Sequence, residues 1–351
     1  MTGEAKVQAA ATYLLNGRPA ASDPDGLRAL AQVNYGHFTS LQVRGGRAPG
    51  LGLHLARLRQ GNAELFDAPL DEIRLRAWMA QAAAAQGGDC SLRVTVFARG
   101  FDHRQPLRAL QPDVLVAATT PVPPARTPIR VRSAAFVRPF PHLKHVATFP
   151  LFQHRRLALQ AGYDDALFVD GAGGSARVVE GTVWNTGFWD GQGVIWPQGP
   201  ALRGTAERLL QAGLEAGGVT QQMQPVTLAE LPGFAAAFAV NANGLQRVAA
   251  IDAVAFGEVP ELDALLAFYD MFAKTDRTIT AFSQGVNQSS AGTDKVNAII
   301  NCHLATGRIG RPGMGPLSLT GQPNAMGGRE VGGLANMLAA HMAIENAGDR
   351  D

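Results

Sequence analysis

The composition is that of a globular chain, and its nearly balanced charge limits the classes of partner that we expect. It has 351 residues, 46% of them hydrophobic and 17% charged, and its 31 basic and 29 acidic side chains leave a formal net charge of +2. This length is enough for two domains with a sizeable core. Because no block of like charge stands out, we expect neither nucleic acid nor a membrane surface as a partner.

Cysteine usage and hydropathy point to the cytoplasm. Cys90 and Cys302 form neither a metal-ligand motif nor a disulfide framework, so we expect no metal. No apolar run reaches the roughly 18 residues that a membrane span requires, and the first ten residues contain no apolar signal core. No aromatic residue follows Phe282, so the Gly-rich end of the chain is a poor candidate for an independent domain.

Residues 1–120 are predicted to form a small α/β domain. The hydrophobic patterns predict a strand at 34–43, helices at 53–65 and 70–85, and strands at 91–98 and 114–118. The stretch TTPVPPART that follows contains three prolines in nine residues and is the predicted interdomain linker.

Residues 121–264 are predicted to form a larger α/β domain. A helix at 150–160 precedes short strands with turns between them, which predict an antiparallel sheet with hairpins. Helices at 205–216 and 263–273 and a strand at 235–240 follow. In residues 265–351 only VNAIINCHLATG and LANMLAAHMAIE have helical periodicity, so we do not expect this Gly-rich segment to fold independently.

Lys144 is the candidate nucleophile. It lies in FPHLKHVATFP, where we expect an apolar strand, and desolvation there would favour the neutral, nucleophilic amine. The alternative is a lysine at a strand end that extends its amine into water.

Three further signals follow a consistent order along the chain. Glu180, at the end of a predicted strand, can pair with a buried cation such as a protonated pyridine nitrogen. The sequence LRGTA places Gly204 before a helix that opens at Thr205, which makes either an anion site or an ordinary N-cap. Arg57, on a predicted helix, can bind a phosphate.

This ordered set resembles the fold-type IV pyridoxal-phosphate enzymes, namely branched-chain aminotransferases, D-amino-acid aminotransferases and aminodeoxychorismate lyases. The resemblance covers about residues 30–258 and is carried by FTSLQVRGGRAPGLGLHLARL, the lysine segment with AGYDDALFVD, VVEGTVWNTGFW, ALRGTAERLL and VNANGLQRVAAID. It implies a two-domain fold like that of D-amino-acid aminotransferase, pyridoxal 5'-phosphate as cofactor, a homodimer, and an amino acid or keto acid as substrate.

The resemblance also implies a role for individual residues. Lys144 would form the Schiff base and move the proton, and Glu180 would keep the ring nitrogen protonated. Arg99, in FARG, matches a position that meets the substrate carboxylate in some members. The matched cofactor-binding positions are Arg57, Lys144, Glu180, Gly204, Thr205, Ala206, Asn241 and Ala242.

The chain departs from the family at several of these positions. Ala206 and Ala242 stand where the family usually carries a hydroxyl, and Ala147-Thr148-Phe149 stands where an Asn-Tyr pair is common. A class IV aminotransferase-like activity is the leading hypothesis. An aminodeoxychorismate lyase-like enzyme and a weakened or inactive cofactor-binding protein remain alternatives.

From about Phe268 the chain resembles an internal fragment of assimilatory nitrate reductases, which belong to the molybdopterin oxidoreductase family. The carrying motifs are QGVNQSSAGTDKVNAIINCHLATGRIGRPGMGP and TGQPNAMGGREVGG. The positions matched to the cofactor's surroundings are Gln284, Gly285, Asn287, Gln288, Gln322, Asn324 and Arg329. Because the iron–sulfur cysteines and metal-ligand region are missing, we expect an inactive fusion remnant and no bound molybdopterin guanine dinucleotide. A tethered molybdopterin-binding module is the alternative.

Overall fold

The structure described here is a computed structural model. It describes residues 11–123, 127–216, 218–259, 277–283, 286, 292–305 and 308–319. By their contacts the residues form two compact units, 1–276 and 277–351.

The first part of unit one is a five-stranded antiparallel sheet in the order β2-β1-β5-β4-β3. Its strands are β1 (Thr12–Leu15), β2 (Arg18–Pro19), β3 (Gly36–Val43), β4 (Cys90–Phe97) and β5 (Asp113–Thr119), and its helices are α1 (Pro24–Gln32), α2 (Leu51–Phe66) and α3 (Glu72–Ala85). Leu92, Val94 and Val96 alternate along β4 and are buried in one core with residues of α2 and α3. The predicted strands and long helices of this region are confirmed, whereas β1, β2 and α1 were not predicted.

The second part of unit one is a nine-stranded mixed sheet. Its path is β11-β10-β9-β12-β13-β6-β7-β8, with β14 paired to β13. The strands are β6 (Ile129–Ala135), β7 (Asp165–Asp170), β8 (Arg177–Gly181), β9 (Asn185–Trp189), β10 (Val194–Pro197), β11 (Gln221–Gln224), β12 (Ala236–Asn241), β13 (Gly244–Ile251) and β14 (Val254–Ala255), and the helices are α4 (Phe149–Gln160) and α5 (Thr205–Ala216).

The predicted antiparallel arrangement is only partly correct. The pairs β7–β8, β9–β10 and β12–β13 are antiparallel, but β6 pairs in parallel with both β7 and β13, and β10 pairs in parallel with β11. Parallel partners are joined through long crossovers, so local turn signals do not indicate them.

Lys144 does not lie in a strand, contrary to the prediction. It lies in the segment of residues 136–148 that connects β6 to α4. Pro139 and Pro141 remove ladder donors there, and Phe140 has a positive φ of 48°, so a regular strand cannot continue. The segment instead pairs with β3 of the smaller sheet, since Phe38 N donates to Lys144 O at 2.8 Å and Val146 N donates to Gly36 O at 3.0 Å.

Unit two contains two parallel strands and a helix within its described residues. Strands β15 (Ile279–Phe282) and β16 (Gly315–Ser318) pair with each other, and helix α6 (Gly292–Ala305) covers most of the predicted VNAIINCHLATG helix. The predicted helices at 263–273 and in LANMLAAHMAIE lie outside the described residues, as do all seven positions matched to molybdopterin surroundings. Among the helices described, none has the length and apolar character needed to cross a membrane.

The division of unit one into residues 1–120 and 121–264 stays a prediction. The chain passes from the five-stranded to the nine-stranded sheet between β5 and β6, where the sequence places the linker.

Candidate active site

A cavity of about 200 Å³ is lined by residues of both sheets of unit one. All eight predicted cofactor-binding positions line it: Arg57, Lys144, Glu180, Gly204, Thr205, Ala206, Asn241 and Ala242. They come from helix α2, the β6–α4 segment, strand β8, the start of α5 and the β12–β13 turn. The fold therefore brings together positions that are far apart in the sequence.

The Lys144 amine has a strongly perturbed environment. Its Nζ lies 4.9 Å from the centre of the Phe38 ring. Burial, together with the nearby charges of Arg57 and Arg138, lowers the pKa of Lys144 to about 7. A substantial fraction of this amine is therefore neutral, and so nucleophilic, at neutral pH.

Glu180 is a buried carboxylate with a partner at each oxygen. Arg138 Nε donates to its Oε1 at 3.1 Å, and Leu202 N donates to its Oε2 at 3.3 Å. Burial raises the pKa of Glu180, while the charge of Arg138 acts in the opposite direction. Arg138 was not among the predicted site residues. An arginine within the apolar segment VRPFPHLK could have indicated a buried ion pair.

Asp165 braces the turn that follows Glu180. Its buried carboxylate accepts from Thr182 Oγ1 at 2.7 Å and from Trp184 Nε1 at 3.1 Å. Gly181 is required here, because a Cβ at that position would lie 2.0 Å from the Trp184 ring. This turn supplies the cavity lining from Glu180 through Asn185, apart from Gly181.

The opposite part of the cavity is arranged for an anion. Arg57 reaches the region before α5, where its Nη2 donates to Arg203 O at 2.6 Å. Burial, then the charges of Arg208 and Arg138, lowers the pKa of Arg57 to about 10, so it remains charged at neutral pH. Thr205, the first residue of α5, lines the cavity, and the free backbone N–H groups at the start of a helix favour an anion.

At four of the predicted anion positions the side chain is not available to bind a phosphate, which leaves the backbone N–H groups. A Cβ at Gly204 would lie 2.2 Å from Asn185 Oδ1, so glycine leaves room for that amide. Asn241 Oδ1 accepts from Asn243 N at 2.8 Å and so closes its own turn. Ala206 and Ala242 offer no hydroxyl.

Arg99 is not in this cavity, in contrast to the expected contact with a substrate carboxylate. Its guanidinium donates to both oxygens of Asp113 and of Asp23. These partners use the donors that a substrate would need. Arg93 of β4 lines the cavity instead, with its guanidinium carbon 3.6 Å from the centre of the Phe38 ring.

The residues present fit a phosphorylated, carbonyl-bearing cofactor. Among the described lining residues, Arg57, Arg93, Arg138 and Lys144 are basic and Glu180 alone is acidic, so the cavity favours an anionic ligand. Gly204 lets the backbone before α5 lie close to the Asn185 amide, where any side chain would clash. No three His, Cys, Asp or Glu side chains group as a metal site within the described residues.

A neutral amine, a facing buried carboxylate and an anion site, all between two α/β sheets, define an enzyme site that holds a phosphorylated cofactor. The model of the family "Amino-transferase class IV" matches residues 36–251, which is more than half of the chain. The chain therefore belongs to the class IV aminotransferase family and is an enzyme of its pyridoxal-phosphate-dependent transferase class.

Solved structures agree with this assignment. The 4-amino-4-deoxychorismate lyase of Pseudomonas aeruginosa is 26% identical, with a TM-score of 0.60 over 74% of this chain and 98% of that chain. The PLP-bound form of a hypothetical aminotransferase from Mycobacterium tuberculosis is 23% identical, with a TM-score of 0.58 over 69% of this chain and 90% of that chain. The predicted mixed α/β fold is thus confirmed.

The resemblance of the C-terminal segment to nitrate reductases is also confirmed. A stretch of 78 residues is 68% identical to the nitrate reductase of Klebsiella oxytoca. It makes up 22% of this chain but spans only 9% of that protein's length.

Proposed function

We propose that the chain is a pyridoxal 5'-phosphate enzyme that transfers the amino group of an amino acid. The observation that carries this is the placement of Lys144, Glu180 and Arg57 around one cavity, with the lysine pKa lowered to about 7. Pyridoxal phosphate, when bound through a lysine, supplies an electron sink for a carbanion at the substrate α-carbon.

Each residue has a task that its surroundings support. Lys144 bonds the cofactor through its neutral amine and afterwards moves a proton at Nζ, for which a pKa near neutrality is well suited. Glu180, which lines the same cavity, would pair with the ring nitrogen of the bound cofactor and hold a proton there. Arg57 and the first turn of α5, with Gly204, Thr205 and Ala206, hold the phosphate, and the backbone at Asn241 and Ala242 completes this site.

Arg93 is the candidate for binding the substrate carboxylate. Of the other arginines in the cavity, Arg57 is proposed to bind the phosphate, and Arg138 pairs with Glu180. Among the described residues, the Arg93 side chain donates a hydrogen bond to Thr95 Oγ1 at 3.3 Å and lies over the Phe38 ring, and it pairs with no carboxylate there. Desolvation lowers the pKa of Arg93, and a carboxylate from the substrate would compensate for that desolvation.

The test is covalent attachment of the cofactor. The purified chain, incubated with pyridoxal phosphate, should develop the absorbance band of lysine-bound cofactor, and borohydride should fix a pyridoxyl group on Lys144. Lys144→Ala should lose both signals, whereas Lys295→Ala, a change at an exposed lysine on α6, should keep them. No band with the unaltered chain would refute the proposal.

A lyase acting on aminodeoxychorismate is the second candidate, favoured by the likeness to the Pseudomonas aeruginosa lyase along 98% of that chain. The two reactions differ in their products. A lyase releases pyruvate in a single turnover, whereas an aminotransferase leaves the amino group on the cofactor until a keto acid removes it. Single-turnover product analysis therefore separates them.

The remaining inferences concern assembly and the C-terminal segment. We infer a cytoplasmic homodimer, and we infer that residues 265–351 add no molybdenum chemistry. Gel filtration with light scattering tests the first inference. Molybdenum and pterin analysis of the purified chain tests the second.

A further inference from the structure

Arg138 contacts the central carboxylate Glu180, and its part in the proposed function follows from that contact. It is 4% exposed and its partner Glu180 is 3% exposed, so the two charges form a buried pair. Arg138 is carried by the same β6–α4 segment as Lys144. A buried arginine is retained at a desolvation cost, and removing either partner leaves an uncompensated charge.

The hydrogen bonds define the orientation of Glu180. Arg138 Nε holds Oε1, and Leu202 N holds Oε2. Without the guanidinium, one oxygen would lose its side-chain donor and burial would favour the protonated carboxyl. A neutral carboxyl could no longer stabilise a positive ring nitrogen opposite it.

Arg138 also acts on the amine. The charged or titratable groups that face Lys144 come from four elements. They are His54, which is neutral because burial lowers its pKa to about 3, and Arg57 on α2, Arg93 on β4, Arg138 on the lysine's own segment and Glu180 on β8. The groups that face Glu180 are Arg138 and Lys144. Arg138 is therefore a charged group that acts on both Lys144 and Glu180.

We propose that Arg138 is a positioning residue, which keeps the Glu180 carboxylate ionised and aimed into the cavity beside the Lys144 amine. This inference rests on the proposed function for its meaning. Its test on the chain without cofactor is independent of that function.

The experiment measures the pH at which Lys144 becomes reactive in the cofactor-free chain. Labelling with trinitrobenzenesulfonate over a pH series, with the site read by peptide mass, gives a midpoint. Glu180→Gln removes the negative charge beside the amine and should lower this midpoint by about one pH unit. In an Arg138→Gln chain, where burial already favours the protonated carboxyl, adding Glu180→Gln should leave the midpoint where it is. In an Arg138→Lys chain, adding Glu180→Gln should again lower it. Arg177→Gln removes an exposed arginine from its ion pair with Asp170 and should leave the midpoint unchanged.

A folding control protects the test against misfolding. Glu180→Gln is nearly isosteric, and circular dichroism of each single and double variant reports whether the chain is folded. An equal downward shift when Glu180→Gln is added to a folded Arg138→Gln chain, or no shift when it is made in the unaltered chain, would overturn the inference. If the unaltered chain fails to bind pyridoxal phosphate, the proposed function fails, while these labelling shifts still decide the role of Arg138.

Discussion

Replacing Asp165 by alanine is expected to loosen the turn that carries Glu180 while both sheets remain formed. The carboxylate accepts from Thr182 Oγ1 at 2.7 Å and Trp184 Nε1 at 3.1 Å, and Thr182 is fully buried, so water cannot replace the lost acceptor. Each stranded donor costs about 1–3 kcal/mol. Because removing the carboxylate also relieves its own desolvation, we expect a net loss of about 3 kcal/mol in the free energy of unfolding.

The assay is urea unfolding of the cofactor-free chain followed by circular dichroism. Asp170→Ala is the matched control, because Asp170 ends the strand that Asp165 begins but forms an exposed ion pair with Arg177. We expect the control to change stability by no more than about 1 kcal/mol. Equal, small effects for both variants would refute the argument. The Asp165 variant should also bind pyridoxal phosphate more weakly, since Glu180 and Asn185 flank the affected turn.

Three further predictions concern the amine, the two arginines and the C-terminal segment. Lys144→Met should stabilise the fold most below about pH 7, where the unaltered folded chain must bury a protonated amine. The gain should fall as the pH rises from 7 toward the ordinary lysine pKa of 10.5, because in that range only the unfolded chain binds the proton. Urea midpoints measured across this range test the expectation. Arg93→Met should raise KM for the amino acid about tenfold or more, whereas Arg99→Met should lower stability with little change in KM; the reverse pattern would reinstate Arg99 as the carboxylate site. A chain ending at residue 276 should keep the cofactor band, because every described cavity residue precedes that position, and loss of the band would contradict this.

The sequence predicted those site residues whose chemical signal is local. Lys144 stands out because lysines are rare in the chain, and the start of α5 is marked by a glycine followed by a hydroxyl residue. Glu180 is recognisable because a carboxylate is unusual in an apolar strand. For each of these residues, the residue type and its immediate neighbours in the sequence are enough to predict a place in the site.

The residues that were missed depend on pairings across the fold. Arg138 and Arg93 are two arginines among many, and only the folded chain places one beside Glu180 and the other over Phe38. Arg99 was expected to meet a substrate carboxylate, and its pairing with Asp23, 76 residues away, depends on the fold in the same way. Strands β6 and β13 likewise owe their position to parallel pairing, which no turn signal indicates.

The pairing of residues 36–38 with 144–146 determines how the two sheets can separate. Main-chain hydrogen bonds join them at the lysine itself, whereas near Asn243 they are joined by a side-chain bond from Gln42 Nε2 at 2.8 Å. The side-chain bond can break without disturbing a backbone ladder. If the two sheets separate, they therefore part more easily at Gln42 and Asn243 than at Lys144, whose backbone stays hydrogen-bonded to the smaller sheet.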